Sequence, residues 1–240
     1  MMRALVVFVL AGLSMDALAH DLITAESAQT YLATVAASKK TIASKEPAAK
    51  RARAHLDLGK TLDEIRELLN RDLVAHGRVQ GLPSNFLMSE LRARGVELAF
   101  TPETNRFLAN VRHYREALKL ESSGPVAADA AFRLLQGTFY DSFTSDPLQP
   151  GPQTRAQLAE QIALGEKLLK MVPRHGEREE TSFILAIHYV QAARSGGDAQ
   201  ERAAFASKAR ALAGEFLRNY PESMRAATLS RLLERLPAGG

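Results

Sequence analysis

The histidines are the residues of this chain best suited to metal chemistry. The sequence has six of them and no cysteine, so imidazole nitrogens rather than thiolates would have to hold a transition metal. His20 would be the first residue of a chain cut after Ala19, and a free amine beside an imidazole can chelate copper when a second histidine folds nearby. None of the others is paired at metal-ligand spacing, so we predict no metal site and keep copper binding through His20 as an alternative. The available partners are His55, His76, His113, His175 and His188.

Residues 175–180 combine one histidine with several acids. His175 is followed by Glu177, Glu179 and Glu180, but a zinc-binding helix would place two histidines one turn apart. The acids more simply favour the positive N-terminus of the following helix. The chain also shows no Ser/His/Asp ordering, phosphate loop or dinucleotide fingerprint. We therefore predict that the protein is not an enzyme and uses no cofactor.

The first nineteen residues have the organisation of a secretory signal peptide. Arg3 supplies a positive start, residues 4–15 form an apolar run, and residues 17–19, Ala-Leu-Ala, offer the small-x-small cleavage pattern. The run is shorter than the ~20 apolar residues of a transmembrane helix, and charges interrupt every later apolar segment. We expect a periplasmic or secreted, soluble product with no transmembrane span, and an uncleaved anchor is the alternative.

The basic residues are concentrated in one run from Lys39 to Arg53, which contains a single acid, Glu46. Because an exported protein rarely meets nucleic acid, we expect no nucleic-acid partner. An anionic surface such as lipid, lipopolysaccharide or an acidic protein fits the run better, and an ordinary solvated face is the alternative. The cations of the run are Lys39, Lys40, Lys45, Lys50, Arg51 and Arg53.

Apolar residues recur at helical spacing from residue 24 onwards, which predicts an all-α protein. Thr24 is a candidate N-cap for a first helix, and Pro47 suits the first turn of a long helix that Gly77 ends. A shorter helix is expected from Ser84 to Arg94. Another should begin at Thr101, where a cap, a proline and an acid follow one another. Its apolar side would carry Phe107, Val111, Tyr114 and Leu118.

Three prolines punctuate the C-terminal half at equal intervals. Pro125, Pro173 and Pro221 lie 48 residues apart, each between segments with helical apolar spacing. Helices are expected over about 126–143, 154–172, 177–194, 200–219 and 221–236, with Thr154 and Gln157 in a capping box. The segment 182–193 is apolar on nearly every side and should form a central, fully covered helix.

The same half of the chain is internally repetitive. Residues 163–173 align with residues 211–221 without a gap: alanine, leucine and proline coincide, and size and polarity agree at most other positions. Gly137-x-x-Tyr140 recurs as Ala186-x-x-Tyr189. A small residue admits a neighbouring helix while the tyrosine fills the gap one turn on. We therefore expect Tyr140 and Tyr189 in the core.

On these residues the chain resembles the tetratricopeptide (TPR) superfamily of helical-hairpin repeats. Residues 185–189 are similar to its first-helix Leu-Gly-x-x-Tyr signature, and residues 216–226 to the Tyr-Pro-x-Ser-x-x-Ala junction of periplasmic members. The period near 48 rather than 34 and the missing first-helix tryptophan depart from the family pattern. The resemblance implies a short TPR-like α-solenoid over residues 123–240. N-terminal helices over residues 20–122, including the long one, would precede it, and a plain Ala/Leu-rich bundle is the alternative.

The resemblance also implies a binding role, because stacked hairpins expose a groove lined by the first helix of each pair. We expect a non-enzymatic scaffold or adaptor that binds a protein or peptide in assembly or maintenance of the cell envelope. The polar residues expected to face the bound segment are Arg133, Gln136, His188 and Gln191.

A second resemblance offers an enzymatic alternative. Residues 121–125 and 134–136 are similar to stretches of the lytic transglycosylases, periplasmic enzymes that cleave peptidoglycan. In that chemistry one glutamate in a dry cleft protonates the glycosidic oxygen, which implies that role for Glu121. The Gly-rich part of the second stretch and the cleft aromatics are missing, so Glu121 also fits a solvated acid at a helix end.

Overall fold

The computed structural model describes residues 23–79, 81–142, 154–171, 177–195, 197–234 and 236. Nine helices and one short hairpin lie in these ranges, which confirms the prediction of an all-α protein. The expected signal peptide, His20, Pro173 and His175 lie outside the described residues. The helices are α1 (Ala25–Ile42), α2 (Ala48–His76), α3 (Leu82–Ala93), α4 (Val111–Leu120), α5 (Gly124–Asp141), α6 (Arg155–Met171), α7 (Arg178–Ser195), α8 (Ala199–Asn219) and α9 (Ala226–Glu234).

Local capping signals set several helix ends where the sequence predicts them. The Thr24 side chain accepts the backbone N–H of Ser27 as the N-cap of α1, and Gly77 ends α2 in the left-handed region at φ 72°. At the start of α6, the backbone N–H of Gln157 lies 3.2 Å from Thr154 Oγ1, and that of Thr154 lies 2.9 Å from Gln157 Oε1. This reciprocal pair confirms the predicted capping box.

The start of α3 differs from the prediction by two residues. Ser84 is not its cap but is buried in its first turn, because Gly81 occupies the N-cap position and α3 begins at Leu82. Gly81 has a φ of 86°, a backbone conformation that glycine adopts readily. A glycine cap followed by Pro83 in the first turn therefore replaces the serine cap.

The helix predicted from Thr101 is wrong, because a short β-hairpin precedes α4. Its strands β1 (Phe100–Thr101) and β2 (Arg106–Phe107) pair antiparallel, and α4 begins only at Val111. Asn70 of α2 accepts the Phe107 backbone N–H at 2.7 Å and donates its amide to the Phe107 carbonyl at 2.9 Å. These two bonds satisfy the Phe107 backbone outside a helix, so a tertiary contact overrides the local start signal.

The hydrophobic core runs through the chain in three connected clusters of described residues. One joins α1, α2 and α3, around Leu62, Ile65 and Leu69. A second joins α2, α4 and α5, and Tyr114 is its largest member. The third fills the space between α5, α6, α7, α8 and α9. The middle cluster links the N-terminal helices to α5, on the C-terminal side of residue 122.

The helices contact one another in a regular order. α1 packs on α2, α2 on α4, and each later helix packs on the one before it through to α9, while α3 lies against α1. In addition, α2 contacts α5, α5 contacts α7 and α7 contacts α9. Within the described ranges, the backbones of α4 and α6, and of α6 and α8, do not approach each other comparably. Ion pairs between long side chains span these gaps instead, such as Lys208 of α8 with Glu166 of α6 at 2.8 Å and Arg115 of α4 with Glu160 of α6 at 3.9 Å. We refer to α2, α5, α7 and α9 as the linked row.

Helix α7 is enclosed by its neighbours, as predicted for residues 182–193. Every residue from Thr181 to Val190 is buried, and α5, α6, α8 and α9 all contact this helix. Gly165 lets α6 approach closely, because a Cβ at this position would lie only 3.2 Å from Leu185 Cδ1. No helix in the described part of the chain combines the length and apolar content needed to cross a membrane.

Candidate functional site

His188 is one of the four residues predicted to face a ligand, and for this residue the prediction is wrong. It is 0% exposed, and its ring packs edge-on against Phe139 with centroids 5.5 Å apart. The cause is the enclosure of α7, which leaves this helix no solvent-facing side at residue 188. Gln191, one turn later, is half-buried, and its Nε2 atom lies inside the protein.

Gln136 belongs to a polar network that joins three members of the linked row. Its amide and the Tyr140 hydroxyl both donate to Glu180 Oε1, at 3.0 and 2.9 Å. Arg225, just before α9, lies 3.6 Å from Glu180 Oε2. Tyr140 is 37% exposed, so its predicted place in the core is wrong, because its hydroxyl stays at the surface with Glu180. Tyr189 is 6% exposed, as predicted.

The junction that resembles the TPR pattern connects α8 to the start of α7. The Ser223 hydroxyl donates to Glu179 Oε1 at 2.6 Å, and Arg225 Nη1 lies 3.5 Å from the same oxygen. The Tyr220 ring packs on Phe216, with centroids 5.1 Å apart. Ser223 and Arg225 therefore hold the α8–α9 turn against α7, while Tyr220 covers the end of α8.

Arg133 makes its contacts within the protein. Its Nε atom lies 3.6 Å from Asp129 Oδ1, and Asp129 Oδ2 accepts a hydrogen bond from Lys60 of α2 at 2.9 Å. This group bridges α2 and α5, two helices of the linked row. Arg133 and Gln136 are both half-buried; Gln136 bonds to a neighbouring helix, whereas Arg133 pairs within α5.

Several cations of the run from Lys39 to Arg53 also have internal partners. Lys50 pairs with Glu46 at 3.1 Å, and Arg53 pairs with Asp57 at 2.9 Å. Lys39 donates to the carbonyl of Arg94, which ties α1 to the end of α3. Contact of this run with an anionic surface stays a prediction.

Glu121, the general acid implied by the enzymatic alternative, lies at the C-terminal end of α4. It is half-buried, and its backbone N–H donates to Ala117 as the C-cap of the helix. Glu121 does not line the cleft at the opposite, N-terminal end of α4.

Large apolar side chains are exposed where α2 ends and α3 begins. Val74 is 89% exposed, Leu82 86% and Phe86 50%. Leu82 and Phe86 are one turn apart and share a face of α3. We refer to these three residues as the α2–α3 apolar surface. A shallow groove of about 380 Å³ lies beside Val74, lined also by Glu67, Asn70, Arg71 and Ala75.

A cleft of about 910 Å³ opens between the end of α1, the first half of α2, the segment after α3 and the start of α4. We refer to it as the histidine cleft, because His55 and His113 both line it. Its other polar lining residues are Lys39, Glu97, Asn110, Arg112 and Glu116, and its apolar ones are Ile42, Ala43, Leu58, Val96, Ala99, Ala109 and Val111.

His55 of α2 and His113 of α4 form a close pair. Their Nδ1 atoms are 3.0 Å apart, and their ring centroids are 5.3 Å apart at an interplanar angle of 34°. Burial lowers the pKa of His113 to about 4, helped by the charges of His55 and Arg112 and opposed by Glu116. Burial likewise lowers the pKa of His55. At neutral pH both rings are uncharged, so one Nδ1–H donates to the other Nδ1.

The packing of α4 on α2 creates this pair, which sequence reasoning missed. The two histidines are 58 residues apart, and the sequence suggested each only as a partner for His20. Gly59, one turn after His55, allows the contact, since a Cβ there would lie 2.6 Å from Cε1 of Tyr114. A glycine inside a long helix was therefore the signal for a close helix approach.

The cleft does not have the donor set of a complete metal site. Within the described ranges, no three His, Asp or Glu side chains converge closely enough to hold a metal ion. Lys39 and Arg112 also place positive charge beside the imidazoles, which opposes cation binding.

Comparison with known proteins returned no relative for this chain: no family model, no curated protein and no solved structure matches it.

Proposed function

We propose that this protein is an exported, non-enzymatic scaffold of the cell envelope that binds a protein partner. The observation that supports it best is the linked row, in which α2, α5, α7 and α9 touch in order. In a curved stack of hairpins, helices on the concave side touch those of the next repeat, whereas helices on the convex side spread apart. The contact order therefore supports a TPR-like stack that begins at α2 and includes N-terminal helices.

The polar contacts along this row support the same architecture. Asp129 joins α2 to α5 through Lys60, and Glu180 joins α5 to α7 through Gln136. Arg225 joins α7 to the start of α9. Each step of the row therefore carries a charged or hydrogen-bonded clamp in addition to its apolar contacts, as expected of a rigid docking platform.

The enclosure of α7 leaves no open groove along residues 181–190, so we place the partner at the α2–α3 apolar surface. Exposed large apolar side chains that share a face, as Leu82 and Phe86 do one turn apart on α3, mark protein interaction sites. Glu67 and Arg71 line the groove beside Val74 with charges of both signs. An amphipathic segment of an envelope protein has the complementary chemistry. The signal-like residues 1–19 support the compartment.

Photo-crosslinking in cells tests this proposal at positions 82 and 86. We expect each photoreactive residue there to give a discrete, saturable product whose partner mass spectrometry identifies. Met224 is the matched control, because it is apolar, 97% exposed and far along the chain, between α8 and α9. Random, unsaturable products, or equal products from position 224, would refute the proposal. A discrete product only from positions 133, 136 or 191 would reject the α2–α3 surface and favour the groove expected from the sequence.

A further inference from the structure

We propose that the histidine cleft binds an organic oxyanion, whose phosphate or carboxylate group lies between Arg112 and the His55–His113 pair and whose apolar part lies along the cleft wall. This inference does not depend on the proposed scaffold role, since it concerns the face between α1, α2 and α4 rather than the α2–α3 apolar surface.

The size and lining of the cleft suit a small organic molecule. Its volume of about 910 Å³ falls within the ~300–1,000 Å³ of small-molecule sites. Apolar side chains contributed by four separate segments form most of the wall, with a few polar groups among them. That combination fits a ligand with an apolar body and one polar end. The largest apolar side chains among the lining residues are Ile42, Leu58, Val96 and Val111.

The charges around the histidine pair favour a negative group. Arg112 lines the cleft, and its charge acts on both histidines of the pair and on Glu116 one turn later. Arg51, one turn before His55, has a buried Nε atom without a hydrogen-bond partner among the described residues, and its charge acts on His55. Glu116 is compensated by Lys119 at 2.7 Å, so Glu97 is the remaining acid of the cleft.

The histidine pair adds proton-dependent recognition. While both rings are neutral, their Nδ1 atoms share one proton, because they are only 3.0 Å apart. An oxyanion beside them stabilises the imidazolium form, in which each Nδ1–H can donate to the anion instead. The groups facing the pair are Lys39 from α1, Arg51 from α2, Arg112 and Glu116 from α4, and Glu97 from the segment after α3. Binding should therefore take up a proton.

The N-terminal end of α4 adds to the positive potential of the cleft. Its first residues, from Asn110 to His113, all line the cleft, and Asn110 makes no side-chain capping bond. The backbone N–H groups of this first turn add a positive partial charge on the same side as Arg112. These positive groups would repel a metal ion.

Isothermal titration calorimetry of the purified protein tests the site with octyl phosphate and octanoate as probes. We expect at least one of them to bind at one site per chain, at least tenfold more tightly than inorganic phosphate. Comparison of the two then shows whether the site prefers phosphate or carboxylate. Because octyl phosphate itself takes up a proton near pH 6, the pH dependence is measured relative to His55→Gln. The ratio of the two affinities should rise by up to about tenfold per pH unit from pH 7 towards pH 5, as uptake of one proton by the histidine pair requires. Titrations in buffers of different ionisation enthalpy measure that proton directly.

Three variants assign the binding to the cleft. Arg112→Gln should weaken binding at least tenfold, whereas Arg115→Gln, on the same helix but outside the cleft lining, should leave it unchanged. His55→Gln should remove most of the pH dependence. His55 is half-buried on its helix, and circular dichroism checks that each variant is folded. This keeps a folding defect separate from a binding defect.

Several outcomes would overturn the proposal. These are the absence of binding by both organic probes, equal affinity for inorganic phosphate, pH-independent binding, or equal losses in Arg112→Gln and Arg115→Gln. Zinc chloride is titrated in parallel. Zinc binding that requires His55, together with no binding of either organic anion, would show a metal site instead.

Discussion

Replacing His188 by leucine should make the protein more stable, most clearly in acid. The imidazole lies within α7 at 0% exposure, and neither ring nitrogen has a hydrogen-bond partner in the described part of the chain. A buried polar group left without partners costs about 1–3 kcal/mol. Leucine fills a similar space without this cost, so His188→Leu should unfold at higher urea concentration even at neutral pH.

The pH dependence follows from the burial of the same ring. Burial lowers the pKa of His188 from 6.5 to about 4. Between these values the unfolded chain holds a proton that the folded chain does not. The contribution of His188 to the free energy of unfolding is therefore highest above pH 6.5 and falls as the pH decreases towards 4. The full difference corresponds to about 3 kcal/mol, of which about 2.5 kcal/mol has been lost at pH 4.5.

Urea unfolding followed by circular dichroism at pH 7.5 and pH 4.5 measures this effect. The loss of stability between the two pH values should be smaller in His188→Leu than in the unmodified protein by about 2.5 kcal/mol. His76→Leu, which removes a histidine from the exposed end of α2, is the matched control. It should lose at least as much as the unmodified protein, because it also removes the pairing of His76 with Asp72 at 3.7 Å. If His188→Leu loses the same free energy of unfolding between the two pH values, or is less stable than the unmodified protein at pH 7.5, the buried imidazole is not the destabilising group.

Two further substitutions test how α2 holds the following segments. Gly59→Ala should destabilise the protein by about 1–3 kcal/mol in urea unfolding, because the new Cβ would lie 2.6 Å from the Tyr114 ring. Gly214→Ala, whose Cβ would meet only the Arg218 side chain at 3.6 Å, should instead stabilise by up to about 1 kcal/mol; a loss in both would contradict this account. Asn70→Ala removes both bonds to Phe107, so it should cost about 1–3 kcal/mol and expose the β1–β2 hairpin to limited proteolysis. An unchanged cleavage rate would show that the hairpin does not need Asn70.

The features that could be predicted from the sequence are those set within one or two helical turns. The caps at Thr24 and Thr154 and the end of α2 at Gly77 follow from side-chain and backbone chemistry of adjacent residues. The enclosure of α7 followed from the apolar character of residues 182–193 on every side. That same enclosure contradicts an exposed His188, so the sequence already contained the information against this site residue.

The features that could not be predicted depend on residues far apart in the chain. The residues at Thr101 have the local chemistry of a helix start. Asn70, 37 residues before Phe107, nevertheless holds that segment as a hairpin. The histidine cleft exists because α4 packs on α2, which no spacing between His55 and His113 could show. Gln136 has the polarity of a ligand-binding residue, and only the fold supplies Glu180 as its partner.

The burial of residues 181–190 limits how this protein can change its number of hairpins during evolution. Repeat proteins whose units each keep an open side tolerate duplication or loss of one unit, because every interior junction is alike. Here α7 has α5, α6, α8 and α9 around it, so deleting the α8–α9 end would expose side chains such as Phe183, which packs on Phe216 of α8. Each such exposure costs about 1.5–3 kcal/mol. Loss of the α8–α9 hairpin alone should therefore destabilise the rest of the α5–α9 region rather than shorten it by one independent unit.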